Sequence, residues 1–201
     1  MEGDPEHIKQ LQRFILRGGK IPVSIEYLLS MFNQTPTPTP TPTPVQDYLA
    51  GFTGNRPSKE IESLIVDSAK KYGIDPRLFA ALLYQESTFD PTELNPNVGG
   101  RYGPDYGIAQ INLKQHPGVT QQQAYDPKFA IPWAAEYLAG DIKHFNDINR
   151  GVAAYNVGRG GASVKGPEKF GGGPKGQRYI NNVSRNLNED VLKELGLITN
   201  Y

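Results

Sequence analysis

Five consecutive Thr-Pro pairs at residues 35–44, "TPTPTPTPTP", set the strongest limit on how this chain can fold. Each proline removes a backbone N–H and holds φ near the polyproline II value, so neither a helix nor an interior strand can run through. At ~3.1 Å per residue the segment is a semi-rigid spacer of about 30 Å. The chain therefore reads as three parts: residues 1–34, a short helical anchor; 35–57, the Thr-Pro linker and an irregular connection with anchors at Tyr48, Leu49 and Phe52; and 58–201, one domain-sized body.

Residues 1–34 carry two apolar stripes at helical spacing. Asp4 and Pro5 start the first, through Ile8, Leu11 and Ile15, and Gly18-Gly19 stops it; Ile25, Leu28, Leu29 and Phe32 follow Pro22. Two such helices cannot bury a sufficient core alone. They are expected to dock on another body, such as a second protein of a larger assembly. The opening "MEGDPEHIKQ" is acidic, and Ser24 and Glu26 interrupt the most apolar run, so no secretory signal is expected. No run approaches the roughly 18 apolar residues of a membrane span.

Of the 201 residues, 21 are Lys or Arg and 21 are Asp or Glu, which balances the formal charge and leaves no basic field for nucleic acid. There is no Cys, and the three His (His7, His116, His144) lack ligand spacing, so neither metal nor other cofactor is expected.

The body from 58 on reads as mainly α. Ser58 caps a stripe of Ile61, Leu64, Ile65, Ala69 and Tyr72 that Gly73 ends; Asp75-Pro76 and Asp126-Pro127 start two more helices. Further helices are expected over about 148–157 and 177–188, separated by Gly-rich loops such as "GGRYGPDYG". These loops, and "GRGG" and "GGGPKG" beyond them, lack the P-loop pattern and a preceding strand.

Glu86 stands out within "LLYQESTFDP". Phe79, Leu82 and Leu83 precede it by seven, four and three positions, which places all four on one helical face. A charged carboxylate there either finds a partner, with Arg77 and Lys128 the nearest candidates, or takes up a proton. A carboxylic acid kept protonated near neutral pH is what general-acid cleavage of a glycosidic bond requires.

"YQESTFDP" is followed by "YGIAQIN" (106–112), "VAAYNVGRG" (152–160) and "RYINNV" (178–183). In order and separation these segments resemble those of the lytic transglycosylases related to goose-type lysozyme, over roughly residues 58–190. The resemblance implies a lysozyme-like catalytic domain acting on peptidoglycan glycan strands. It implies Glu86 as catalytic acid and then base, and Ser87 near the reacting sugar or orienting Glu86. Gln110 then holds an N-acetyl sugar, Tyr155 and Asn156 line the cleavage site, and Tyr179 points its hydroxyl at Glu86. "GIAQ" departs from the family's Gly-Leu-Met-Gln: Ile108 and Ala109 keep apolar character with less bulk, and Gln110 is retained.

The family's reaction forms a 1,6-anhydromuramic ring without water. A hydrolytic lysozyme needs a second carboxylate, for which Asp105 is the better candidate and Asp90, in a turn after the helix, the lesser one. A wall-binding or structural protein without turnover is the third reading. The substrate lies outside the cytoplasm, so a chain expected to lack an export signal is expected to act at the cell wall from a carrier. A phage tail or injection apparatus holding residues 1–34 fits that expectation.

Overall fold

Ser58 and Gly73 bound the first helix through local chemistry alone. The Ser58 hydroxyl accepts from the Ile61 N–H, and Gly73 adopts the left-handed conformation at φ 70° that closes the helix end. The computed structural model describes residues 46–97, 102–164 and 173–197. The chain divides into two compact units, Met1–Gln46 and Asp47–Tyr201, and all but the first described residue belong to the second. The expected helical pair in 1–34 and the Thr-Pro run lie outside the described residues.

Seven helices and three two-residue strands make up the described body: α1 Lys59–Tyr72, α2 Pro76–Ser87, β1 Leu94–Asn95, β2 Asp105–Tyr106, β3 Ile111–Asn112, α3 Gln121–Tyr125, α4 Pro127–Phe145, α5 Ile148–Ala162, α6 Gly173–Ser184 and α7 Glu189–Leu195. The mainly α expectation holds, with Asp75 and Asp126 as side-chain N-caps and Pro76 and Pro127 in the first turns. Pro132 sits inside α4 near its start.

Several elements differ from expectation. α3, closed by a Thr120–Gln123 capping box, and α7, capped by Asn188, are too short for periodicity to reveal. α5 runs past 157 to Ala162 but breaks at Gly158, whose φ of 69° and ψ of 162° only glycine adopts readily. α6 starts at Gly173 rather than near 177.

α2 is the centre of the body. Leu78, Phe79, Ala80, Ala81, Leu82 and Leu83 are all fully buried, so this helix is enclosed on every side rather than along one stripe. Residues 47–57 pack with it through anchors that the sequence offered. Leu49 is fully buried, and Phe52 forms an aromatic cluster with Tyr84 and Phe89 at centroid distances of 5.4–5.8 Å. Thr53 N–H donates to the Asn186 carbonyl and Asn188 N–H to that of Gly51, which ties this segment to the end of α6. α4 and α5 approach so closely that a Cβ on Gly151 would stand 2.7 Å from the Ile142 Cα.

The sheet is antiparallel in order β1-β2-β3, pairing Asn95 with Asp105 and Asp105 with Asn112. Its strands are too short to show alternation in sequence, yet they put Asp105 between two Asn residues at the edge of the cleft described next.

Candidate active site

Glu86 occupies the last turn of α2, where the enclosed helix reaches a cleft of about 910 Å³. The sheet, the 107–112 turn, α5 and α6 form the other walls. Burial raises the Glu86 carboxyl from its ordinary 4.5 to about 7; a hydrogen bond from Tyr179 opposes that rise, and the negative charge of Asp105 adds to it. Tyr179, itself buried, donates its hydroxyl to Glu86 Oε1. Burial, first, and the neighbouring Glu86 charge hold the Tyr179 and Tyr155 phenols well above their usual range, so both remain hydrogen-bond donors.

The two cations that the sequence offered as partners of Glu86 are engaged elsewhere. Arg77 pairs with Asp75 at 2.6 Å and Glu194 at 3.0 Å, and Lys128 reaches Glu60 at 3.4 Å. Burial, rather than a pairing with either of these cations, is the main influence on the Glu86 carboxyl.

The other candidate residues divide between lining the cleft and building it. Gln110, Tyr155, Asn156 and Tyr179 line it. The Tyr155 hydroxyl donates to the Ala109 carbonyl at 2.9 Å. Ser87 is buried and donates to the adjacent Ile108 carbonyl at 2.9 Å, so its hydroxyl fastens the cleft wall and is directed neither at the cleft nor at Glu86. Side chains from α2 and α5 thus pin two successive carbonyls of the "GIAQ" turn.

That turn is strained and close-packed. Gln110 holds φ at +48°, and its side-chain amide donates to the Gly107 carbonyl at 2.9 Å. Gly107 has φ +71°, and a Cβ there would lie 2.0 Å from the Ala124 carbonyl oxygen, so no other residue fits.

Asp105, the second carboxylate that the sequence offered, also stands in the cleft, together with residues that sequence reasoning did not single out. Asp105 accepts from Asn112 Nδ2 at 2.7 Å and also from Asn97 Nδ2, so both carboxylate oxygens are held by amides. Trp133 and Tyr137 stack at 5.2 Å with 7° between planes, and His116 meets both edge-on. Lys175, Arg178 and Asn182 stand along α6. The i,i+4 spacing of Trp133 and Tyr137 is a usable sequence signal, since stacked rings beside polar amides suit the mixed apolar and hydroxyl faces of a sugar.

Comparison with known proteins bears on the family. Residues 63–170 match the family profile described as "Transglycosylase SLT domain". A curated relative from Alkalilimnicola ehrlichii, named membrane-bound lytic murein transglycosylase F 1, is 36% identical over 101 residues, covering 47% of this chain and 19% of its own length. A protein of Enterobacteria phage PRD1, named transglycosylase, is 26% identical over 121 residues, covering 60% of this chain and 40% of its own. The chain thus spans less than half the length of either curated relative. No solved structure matches significantly.

Proposed function

The chain belongs to the family of transglycosylase SLT domains, and from that premise we propose that it is a peptidoglycan lytic transglycosylase with Glu86 as its single acid and base. The observation that carries the reading is the buried Glu86 carboxyl, raised to about 7, touching Tyr179 and opening onto a polar cleft. At neutral pH such a group is protonated in a large share of molecules yet becomes a competent base once it has given its proton away.

In the proposed reaction Glu86 protonates the oxygen that links N-acetylmuramic acid to N-acetylglucosamine. The C1–O4 bond breaks, and the glucosamine side leaves with a free hydroxyl. The muramic acetamido oxygen bonds to C1 and carries the positive charge. The Glu86 carboxylate then removes the proton from the muramic C6 hydroxyl, whose oxygen displaces the acetamido oxygen at C1 and closes the 1,6-anhydro ring. Glu86 ends protonated, and no water is consumed. The Tyr179 hydroxyl steadies the carboxylate between the two transfers. Gln110 and Asn156 supply amides for the acetamido sugars, and Trp133 and Tyr137 a stacking face. The pinned carbonyls of Ile108 and Ala109 hold Gln110 in place, which makes Ser87 and Tyr155 positioning residues.

A hydrolytic lysozyme is the second reading, favoured by the presence of Asp105 in the same cleft. The amides donated to both its oxygens occupy lone pairs that a water-activating base would use. Mass analysis of digested peptidoglycan separates the two: anhydro-muropeptides are expected, and reducing ends alone overturn the proposal. Glu86→Gln is expected to abolish clearing of a cell-wall suspension, and equal clearing by the variant removes the enzyme reading.

We further propose that the enzyme works at the cell wall as a component of a phage particle, mounted through residues 1–34 on a partner protein and held off it by the Thr-Pro spacer. The phage relative and the two apolar stripes support this reading. Among the described residues no helix is long and apolar enough to cross a membrane. Immunodetection of the chain in purified particles, and its loss when residues 1–34 are deleted, test the mounting.

A further inference from the structure

A second, smaller cavity of about 290 Å³ shares the stacked Trp133–Tyr137 pair with the cleft and is lined by Trp133, Glu136, Tyr137, Gly140 and Arg159. The reaction above does not use it. Its construction is specific. Asp141 is fully buried beneath it, with Oδ1 accepting from Arg159 Nε at 2.7 Å and Oδ2 without a hydrogen-bond partner. A buried carboxylate with an unfilled oxygen is costly, and a merely structural ion pair is normally satisfied on both oxygens.

Here the carboxylate holds the guanidinium by its Nε, and the half-exposed Arg159 side chain lines the cavity. A guanidinium fixed this way is pre-organised for a second carboxylate, because its rotamer freedom is already lost. In the same lining, the exposed Glu136 carboxylate accepts only a 3.1 Å bond from the Tyr72 hydroxyl among the described residues. The cavity therefore offers a cation, an anion and a flat aromatic floor within one small volume.

We propose that this cavity binds the peptide branch of the glycan strand: a short acidic peptide whose carboxylate meets Arg159 and whose free amine meets Glu136. The inference rests on the peptidoglycan reading given above. Such a branch leaves the sugar chain at the muramic residue. Trp133 and Tyr137 line both spaces, so a strand seated on their stacked faces carries its branch over the shared rim. The site then reads peptide-bearing strands in preference to bare ones.

The test titrates the full chain with Ala-γ-D-Glu-Lys, a sugar-free acidic tripeptide with one side-chain amine, by calorimetry and by the Trp133 indole resonance in NMR. The same peptide with amidated carboxylates serves as comparison. Saturable binding is expected, weakened roughly tenfold or more by amidation. Asp141→Asn/Arg159→Gln removes the guanidinium without stranding a buried charge, and its melting curve reports folding independently; it should lose the discrimination between the two peptides. Glu136→Gln should weaken binding of the free-amine peptide but not of its form acetylated at the Lys side-chain amine. Equal binding of the acidic and amidated peptides, or an unchanged double variant, overturns the proposal. Cleavage of peptide-free strands by the wild-type chain, measured in parallel, tests the enzymatic reading separately: cleavage without peptide binding sinks this inference alone, and peptide binding without cleavage of any strand sinks only the reaction.

Discussion

The Tyr179 hydroxyl donates to Glu86 Oε1 and so joins α6 to the end of α2 across 93 positions of sequence. Two opposed effects meet in that contact: burial drives the carboxyl toward its neutral form, and the phenol favours the charged one. Burial is the larger, so the acid survives to neutral pH, and the phenol keeps its conjugate base usable for the second transfer.

Tyr179→Phe removes the opposing effect, so the Glu86 carboxyl should titrate above about 7. The alkaline limb of the pH–rate profile, where the proton donor is lost, should move to higher pH while the maximal rate falls. Profiles of cell-wall clearing for both proteins check this. An alkaline limb that stays in place or moves to lower pH contradicts the role given to Tyr179.

Glu86 should also weigh on stability, with a sign opposite to that of a salt-bridged carboxylate. Its folded-state value lies above the unfolded one, so its contribution is fully present below about 4.5 and is lost as pH rises through about 7. Glu86→Gln, which carries no charge to desolvate, should therefore exceed wild type in stability above pH 7, by an upper limit of roughly 3 kcal/mol for a shift from 4.5 to about 7. The advantage should shrink toward pH 4.5. Urea denaturation at several pH values measures it.

Asp105→Asn separates the two glycosidase readings. A one-acid enzyme keeps most of its activity, and its alkaline limb moves to lower pH, because the charge that raises the Glu86 carboxyl is gone. A hydrolase with Asp105 as base instead loses activity to the level of Glu86→Gln. Stability should fall on the order of 1 kcal/mol in either case, since the Asn97 and Asn112 amides then share a single acceptor oxygen.

Ser87→Ala leaves the Ile108 carbonyl without its side-chain donor in a buried place, a loss of about 1–2 kcal/mol. Because the same turn carries Gln110, substrate binding should weaken along with stability. Tyr155→Phe, which frees the next carbonyl, should behave alike. The double variant should deviate from additivity, because the two bonds restrain one turn. A Ser87→Ala protein of unchanged stability with a large loss in kcat would instead mean that this hydroxyl touches the substrate.

Gly107→Ala should be among the most damaging small substitutions in the cleft wall. The added methyl meets a backbone carbonyl at 2.0 Å and demands φ +71° of an L-residue, a loss of about 2–4 kcal/mol. Gly158→Ala meets no neighbouring atom within 4 Å, so only the backbone strain at the α5 break applies, roughly 1–3 kcal/mol. Thermal unfolding ranks the two.

Helix limits were readable from the chain wherever a cap acts within three or four residues. Ser58 with Gly73, Asp75 with Pro76 and Asp126 with Pro127 delimit elements by bonds to their own neighbours, which no tertiary contact has to supply. The strands of the small sheet carry no such local mark. Two residues cannot display alternation, and Asp105 acquires its partners only when β2 lies between β1 and β3. The contact between Glu86 and Tyr179 was anticipated through family resemblance, since nothing local to either residue demands it.

By itself the sequence determined that an acid stands at the end of an apolar helix, that a helical body follows a run of five Thr-Pro pairs, and which short segments surround the acid in chain order. Periodicity, caps and proline geometry act over a few residues, so these properties need no knowledge of the fold. Tertiary structure alone decided that α2 is buried on all sides, that Ser87 and Tyr155 serve backbone carbonyls, and that Arg159 rests on a buried Asp141 beside an aromatic wall. Each of these depends on which distant groups compete for one donor in a water-poor interior, and that competition is settled only when the helices pack.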